Sequence, residues 1–368
     1  MERALKHCDN RIFSINDFET LFSLAEPGRW MLVCDKSFVY LPEKVRDIYN
    51  KHKDNCVIFD GFESNPKYES VVMGVELLQK NNCTLIVAIG GGSTIDIAKC
   101  VKLFSGADKR TVFFKKMPDY DTASAINLIA LPTTAGTGSE STKHAVIYYE
   151  GVKQSICDDE IIPDAVILHP EVLKNLPEIH KKAAMLDALC QACESWWSKG
   201  STAQSVFYSE KAIPAIIDGW RAYIGTENIA AETILLAANY AGRAINISKT
   251  TAAHAMSYKL SSMYGLPHGI AVALCFPVVW KHMLKKASKE LMGVFDKIAA
   301  CFHAQNAGEA IEIFEKMLAE MKIDYPHSVT RESDIAVLAE SVNPERLSNN
   351  PIAFGREELI EMYEEIIK

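Results

Sequence analysis

No stretch of the 368-residue chain approaches the roughly 20 consecutive apolar residues that a membrane-crossing helix needs. An excess of positive charge is lacking too. Lys and Arg number 39 against 47 Asp and Glu, and the net charge of -8 argues against a general binder of nucleic acid or of anionic membrane surfaces. The opening MERALKHCDNR is polar and charged, so no signal peptide is expected. Internal repeats and low-complexity tracts are missing. Of the ten cysteines, only Cys190 and Cys193 form a close pair. A four-thiolate zinc site needs a second pair. A redox pair usually opens a helix, where the dipole lowers the thiol pKa, whereas this one lies well inside a helical run. Cys34, Cys83 and Cys275 lie in apolar, strand-like runs, as free thiols of a reducing cytosol do.

What is present is an ordinary globular composition, 48% hydrophobic and 23% charged, and enough length for two domains with separate cores. WMLVCD (30–35), NCVIFD (55–60), CTLIVAIG (83–90) and INLIALPTT (126–134) read as strands. SVVMGVELLQKNN (70–82) and GSTIDIAKCVKLF (92–104) read as helices. Continuously apolar strands alternating with helices imply a parallel sheet covered on both faces. After LKNLPEIH, where Pro177 marks a break, strand signals nearly vanish. Long helical runs follow at 181–199, 203–224, 230–247, 288–302, 307–321 and 356–368. The expectation is an α/β domain over residues 1–178 followed by an all-α domain over 179–368.

The strand at 83–90 runs into Gly90, Gly91, Gly92 and Ser93, and a helix follows. Such a turn lets the backbone approach a pyrophosphate, and the helix N-terminus offers free N–H groups. Ile95 stands where the dinucleotide fingerprint has its third glycine, and a tight turn alone would also select glycine, so this turn by itself leaves both readings open. A second loop, Pro132 to Glu140, places Thr133, Thr134, Gly136, Thr137, Gly138 and Ser139 at what should be the same sheet edge. Two such loops favour a nucleotide site. Asp35 closes the strand WMLVCD, either as a plain turn residue or as an acceptor for a ribose diol. The second role would repel a 2′-phosphate and favour NAD over NADP.

In the second half, Asp187 and Gln191 stand i, i+4 on a helix, and Glu194 shares their face one turn on, where it can orient a ligand. His254 lies in a later helical stretch, and His268 in the short break YGLPHG. Three strong ligands and one weak or open position form the pattern of a catalytic ion that polarises a carbonyl or alkoxide oxygen. The mixed oxygen and nitrogen set suits Fe(II) or Zn(II), and ligand type does not choose between them.

GGGSTIDIAK (90–99), LPTTAGTGSE (131–140), LDAL (186–189) and HAMSYKLSSMYGLPHG (254–269) resemble the signature segments of the iron-containing alcohol dehydrogenase family, in its order and spacing over most of the chain. The resemblance implies an N-terminal dinucleotide-binding domain, an all-helical metal-binding domain and at least a dimer. It places the metal ligands at Asp187, His254 and His268. Gln191 stands where the family usually has a further histidine, and Tyr258 where a histidine commonly helps relay the proton. Cofactor contacts are implied at Asp35, Asn65, Gly91, Gly92, Ser93, Thr133, Thr134, Thr137, Thr142 and Lys153.

ALCQACESWWS (188–198) and RAINISKTTAAHAMSY (243–258) are similar to reductases of sulfoacetaldehyde and phosphonoacetaldehyde. Arg243, Asn246 and Lys249 are therefore expected to meet an anionic head group. At 100° per residue, Arg243, Asn246 and Thr250 would share the face of His254, whereas Lys249 would point elsewhere unless the helix breaks. The expected enzyme is a cytoplasmic, NAD(P)H-linked, metal-dependent reductase of a small aldehyde, with no nucleic-acid or membrane partner. Rival readings are a general short-chain alcohol or diol dehydrogenase, a lyase like dehydroquinate synthase, and a thiol-regulated binding module built on Cys190 and Cys193.

Overall fold

The computed structural model describes residues 12–25, 28–107, 118–225 and 229–368. The chain forms two compact units, Met1–Leu176 and Pro177–Lys368. In the first, the elements run β1 (Ile12–Phe13), α1 (Phe18–Leu24), β2 (Arg29–Cys34), α2 (Glu43–His52), β3 (Cys56–Phe59), α3 (Tyr68–Asn81), β4 (Cys83–Gly90), α4 (Gly92–Leu103), α5 (Tyr120–Ala125), β5 (Asn127–Pro132), β6 (His144–Tyr149), β7 (Val152–Cys157) and β8 (Ala165–Ile167). Six strands form one sheet in the order β1-β8-β5-β4-β2-β3, and every neighbouring pair is parallel. The central strands are almost wholly buried, which is why their sequences are apolar without alternation.

Strand register aligns the functional loops. Gly90 pairs with Pro132 and Cys34 pairs with Ile89. The segments after β2, β4 and β5 therefore leave the sheet side by side at its carboxyl edge, where ligands of such sheets bind. Four strands were not expected from the sequence: the short β1 and β8, and the β6–β7 hairpin. That hairpin turns at Glu150 (φ 50°) and Gly151 (φ 77°), the positive-φ pair that a tight two-residue turn demands.

The second unit consists, among its described residues, of helices α6 (Glu178–Trp197), α7 (Ala203–Ile224), α8 (Ala231–Ser248), α9 (Ala252–Tyr264), α10 (His268–Leu284), α11 (Lys289–Cys301), α12 (Ala307–Glu320), α13 (Arg331–Ser341), α14 (Pro344–Leu347) and α15 (Arg356–Ile366). From Met185 to Ser198 no residue is exposed, because α7, α8, α10 and α11 pack around α6. A helix buried all round is expected to be apolar throughout. Asp187, Gln191 and Glu194 break that rule, so each needs an internal partner. No described helix is long and apolar enough to cross a membrane.

Candidate functional site

Ligand atoms of Asp187, His254 and His268 lie within 4.8 Å of one another. Oδ1 of Asp187 is 3.1 Å from Nε2 of His254 and 3.9 Å from Nε2 of His268. Asp187 and His254 are buried, while the His268 side chain is 40% exposed and forms the accessible side of the cluster. Three helices deliver the three residues. Asp187 sits in mid-α6, and His254 is the third residue of α9. His268 is the first residue of α10 rather than part of an irregular break. Gly269 makes the last placement possible. A Cβ there would lie 1.9 Å from the Ala183 carbonyl oxygen and 2.9 Å from the Asp187 Cβ, so α10 meets α6 backbone to backbone.

Glu194 organises the buried side. One of its oxygens accepts from Thr251 Oγ1 (2.7 Å), Ala253 N (2.9 Å), Thr251 N (3.2 Å) and His254 N (3.4 Å), which caps the start of α9. The other faces His254 Nδ1. A carboxylate there accepts Nδ1–H and leaves Nε2 to the cluster. Burial alone would lower the His254 pKa, but the charge of Glu194 and the hydrogen bonds to Asp187 and Glu194 outweigh it and raise the ring to about 9. Burial likewise pushes the Asp187 carboxyl up. Hydrogen bonds from His254 and Gln191 and the nearby charge of His268 hold it below its ordinary value.

The cluster also passes a test for a cation that does not depend on these three residues. Gln191 hydrogen-bonds to Asp187, yet its carbonyl oxygen is buried with no hydrogen-bond partner. Such an orphaned acceptor is costly and wants a donor or a positive charge. One carboxylate oxygen, two imidazole nitrogens and an amide oxygen fit a divalent iron or zinc ion.

Tyr258 lies against this cluster. Its ring is parallel to His268 at 5.5 Å (11° between planes), and its hydroxyl accepts from Arg346 Nη1. Burial raises the phenol pKa more than the Arg346 charge lowers it. The proposed head-group residues sit differently from the expectation. α8 stops at Ser248, and Lys249 turns the chain with φ 61° on an exposed side chain. The helical spacing that would align Arg243, Asn246 and Thr250 with His254 therefore does not run through this segment. Arg243 instead donates to Asn239 (2.9 Å) and lies 6.0 Å from the Tyr208 ring centre. Cys190 and Cys193 are wholly buried, with thiol pKa values pushed well up by that burial, which leaves a thiol switch without an accessible thiolate.

In the first unit, Asp35 and Ser93 line one cavity of about 520 Å³ together with Ser37, Phe62 and Ser64. Asp35 also caps the turn that follows it, accepting from Ser37 N at 2.7 Å, so the turn role and a ligand role coexist. The three glycines are not equivalent. A Cβ on Gly90 would strike Thr94 at 2.3 Å, and one on Gly92 would crowd Thr137 at 2.9 Å, whereas one on Gly91 would meet Thr134 at an ordinary 3.5 Å. Gly91 is thus the glycine that the protein's own packing does not require. Thr133 N donates to the Gly90 carbonyl at 3.0 Å, which ties the two loops together. Asn65 is exposed at φ 59°, before Pro66, whose carbonyl accepts from Tyr148 N.

Thr142 is buried, and its hydroxyl and carbonyl both accept from Lys99 Nζ, at 3.1 and 2.6 Å. Lys153, on β7, lies within electrostatic reach of Asp96. The scaffold beneath these loops was not anticipated. Asp96 accepts from Ser139 Oγ (2.6 Å) and Val146 N (2.9 Å), and Lys99 also donates to the His144 carbonyl (2.8 Å). An acid and a base three apart in a largely buried helix were the available signal.

A parallel sheet edge carrying two glycine- and hydroxyl-rich loops in one unit, and a buried carboxylate–histidine cluster in the other, are the features of a metal-dependent, NAD-linked alcohol dehydrogenase or aldehyde reductase. Residues 12–170 match the model of iron-containing alcohol dehydrogenases and residues 181–367 that of the C-terminal part of the Fe-containing alcohol dehydrogenase family; the chain belongs to this family. It is 30% identical to 4-hydroxybutyrate dehydrogenase of Clostridium kluyveri, over 96% of this chain and 97% of that protein. It is 29% identical to phosphonoacetaldehyde reductase of Streptomyces viridochromogenes, over 79% and 78%. The fold is shared with sulfoacetaldehyde reductase of Bifidobacterium kashiwanohense, solved in complex with NAD+, at a TM-score of 0.88 and 24% identity, covering 97% of this chain and 96% of that one.

Proposed function

We propose that the chain reduces a short aldehyde bearing an anionic group at its far end to the corresponding alcohol, with NADH as hydride donor. The observation that carries the proposal is the buried cluster of Asp187, His254 and His268 with the orphaned Gln191 carbonyl beside it. The names of the relatives support the substrate class: 4-hydroxybutyrate, phosphonoacetaldehyde and sulfoacetaldehyde each carry an oxyanion at the end opposite the reacting carbon.

A divalent iron or zinc ion held by Asp187, His254, His268 and Gln191 supplies Lewis acidity toward the carbonyl oxygen. The chain's own groups do the rest. Glu194 keeps His254 in the ligating tautomer. The free N–H groups at the start of α4, with Ser93 and the hydroxyls of Thr133, Thr134 and Thr137, receive the cofactor's pyrophosphate and amide, and Asn65, Gly91, Gly92, Thr142 and Lys153 shape that edge. Asp35 favours a free ribose diol over a 2′-phosphate, hence NADH over NADPH. Burial keeps the Tyr258 phenol above its usual pKa, so water is the better proton source for the product oxygen at neutral pH. Every described cysteine is free, in keeping with a cytoplasmic enzyme.

The test is a panel of sulfoacetaldehyde, phosphonoacetaldehyde, succinate semialdehyde, lactaldehyde and propanal with NADH and with NADPH, on protein of measured metal content. The double substitution Asp187→Ala with His268→Ala should abolish both metal retention and NADH oxidation. Retention of both sinks the site assignment. A preference for propanal would point to a general alcohol dehydrogenase, and absence of net NADH consumption to a lyase.

A further inference from the structure

The cations expected from the sequence, Arg243 and Lys249, lie on α8 and just after it, but the fold brings another cation to the metal residues from elsewhere. Arg346 lies on the four-residue helix α14, remote in sequence from every other residue of the cluster. Its guanidinium carbon is 4.6 Å from the Tyr258 ring centre, and that ring centre is 5.5 Å from the centre of His268. Those two steps put the charge within about 10 Å of the exposed histidine of the cluster, too near to be neutral toward a small substrate there.

Arg346 is held firmly. Asn343 caps α14 by accepting from Glu345 N (2.8 Å) and Arg346 N (3.3 Å), and Pro344 fixes its first turn. Asn349 then latches the segment to the α8–α9 junction, donating to the carbonyls of Ser248 (2.8 Å) and Thr250 (2.9 Å). Among the described residues no carboxylate pairs with the guanidinium, whose side-chain hydrogen bond goes to the Tyr258 hydroxyl. A half-buried arginine spends its remaining donors on some acceptor.

We propose that Arg346, held in place by the ring and hydroxyl of Tyr258, binds the anionic end of the aldehyde. The ligand class is a sulfonate, phosphonate or carboxylate, any of which a guanidinium grips through charge-assisted and often paired hydrogen bonds. This rests on the anionic-aldehyde reading above and replaces Arg243 and Lys249 as its principal cation.

The test compares wild type, Arg346→Met, Arg346→Lys and Tyr258→Phe, each metal-loaded, on sulfoacetaldehyde, phosphonoacetaldehyde, succinate semialdehyde and propanal. Arg346→Met should lower the ratio of kcat/KM for the preferred anionic aldehyde to that for propanal by about 10- to 100-fold, mainly through KM. Arg346→Lys should recover part of the ratio, and Tyr258→Phe should lose less than Arg346→Met. Calorimetric titration of the NAD-saturated holoenzyme with ethanesulfonate, an unreactive anion, should show binding that Arg346→Met lacks. If wild type itself does not favour anionic aldehydes over propanal, the substrate reading falls and the inference with it. If wild type does favour them and Arg346→Met leaves the ratio and the ethanesulfonate binding intact, or lowers every substrate equally along with the Tm, Arg346 serves only to pack α14 on α9. The substrate reading then survives without it.

Discussion

Replacing Glu194 with glutamine tests the metal site at the residue that ligates nothing. Glutamine keeps the shape and loses the charge. Its carbonyl should stay on the side that now receives Thr251 N, Thr251 Oγ1, Ala253 N and His254 N, because four donors outweigh one. The amide NH2 then faces His254 Nδ1, and two donors cannot share that contact. The imidazole resolves the conflict by giving up its Nδ1 proton and keeping the one on Nε2, which Asp187 Oδ1 accepts at 3.1 Å. The metal-free protein is thus left with a satisfied network, but Nε2 is no longer a ligand until that proton is displaced. A change of this kind costs roughly 10- to 100-fold in metal affinity, or about 1.4 to 2.7 kcal/mol. Alanine at 194 would be less informative. It strips the acceptor from several buried donors at once and costs on the order of 3–5 kcal/mol, a large part of a typical folding free energy. The assay is competition for Fe(II) and Zn(II) against a buffered chelator, paired with thermal unfolding of the chelated protein. Unchanged affinity in Glu194→Gln would refute the claim that this carboxylate sets the histidine tautomer.

Four other outcomes are expected. Gly269→Ala should separate α10 from α6, lowering metal stoichiometry and thermal stability together, since its Cβ would sit 1.9 Å from a carbonyl oxygen; a stable, metal-replete variant would contradict the packing. Gly91→Ala should fold normally yet raise the KM for NADH at least about tenfold, while Gly90→Ala should lose roughly 1–3 kcal/mol of stability through its clash with Thr94; equal behaviour of the two in unfolding and kinetics would remove the distinction. Gln191→Leu should change the stability of the metal-free protein by less than about 1 kcal/mol, because deleting a buried unpartnered carbonyl offsets the hydrogen bond lost to Asp187, while chelator competition should show weaker metal binding.

Lys99 supplies the pH test. Burial depresses its pKa to about 8 despite the nearby Asp96 and Glu140. Between that value and the unfolded one the unfolded chain holds more protons, so stability rises with pH. Relative to Lys99→Met, the wild type should gain about 2 kcal/mol from pH 7 to 9.5 in chemical denaturation, and a flat difference would show that the ammonium is not buried.

The parallel sheet was legible because burial on both faces forces runs such as CTLIVAIG, and no other common element needs an uninterrupted apolar stretch of that length between a helix and a glycine turn. β1 and β8 are too short to carry a pattern, and β7 alternates only weakly between partly buried and exposed residues. The sequence also does not show where α8 ends. Ser248, Lys249 and Thr250 carry no glycine or proline, and the break is imposed by tertiary contacts: Asn349 binds the junction carbonyls and Glu194 gathers the first amides of α9. For the same reason Arg346 was invisible. A cation on a four-residue helix acquires meaning only when the fold sets it on an aromatic ring that itself stacks on His268. Asp187, His254 and His268 could be named from the sequence because the chemistry of their side chains narrows the choice. Of the residues that position them, Glu194 was legible too, because it shares the helical face of Asp187 and Gln191, whereas Gly269 and Asn349 belong to types with many other uses.

The charge balance of the site connects those positioning residues to substrate choice. Two carboxylates, Asp187 and Glu194, lie close to the cluster, and at face value they would cancel a divalent ion and leave nothing to attract an anion. Glu194, however, is capped by the opening amides of α9, and a helix N-terminus carries about half a positive charge. Its other oxygen is engaged by an imidazole N–H. Much of its field is therefore answered locally, and Asp187 is left as the principal carboxylate facing the ion. Gln191 adds none, and neither would a histidine in its place, so the exchange alters donor strength while leaving the charge alone. If Arg346 meets the substrate as proposed, its charge adds to that of the ion from beyond Tyr258 and His268. Such a field would favour an anionic head group and an oxygen gaining negative charge over a neutral alkyl aldehyde. A weak amide ligand and an arginine with no carboxylate partner among the described residues would therefore act in the same direction, although they come from opposite ends of the helical unit.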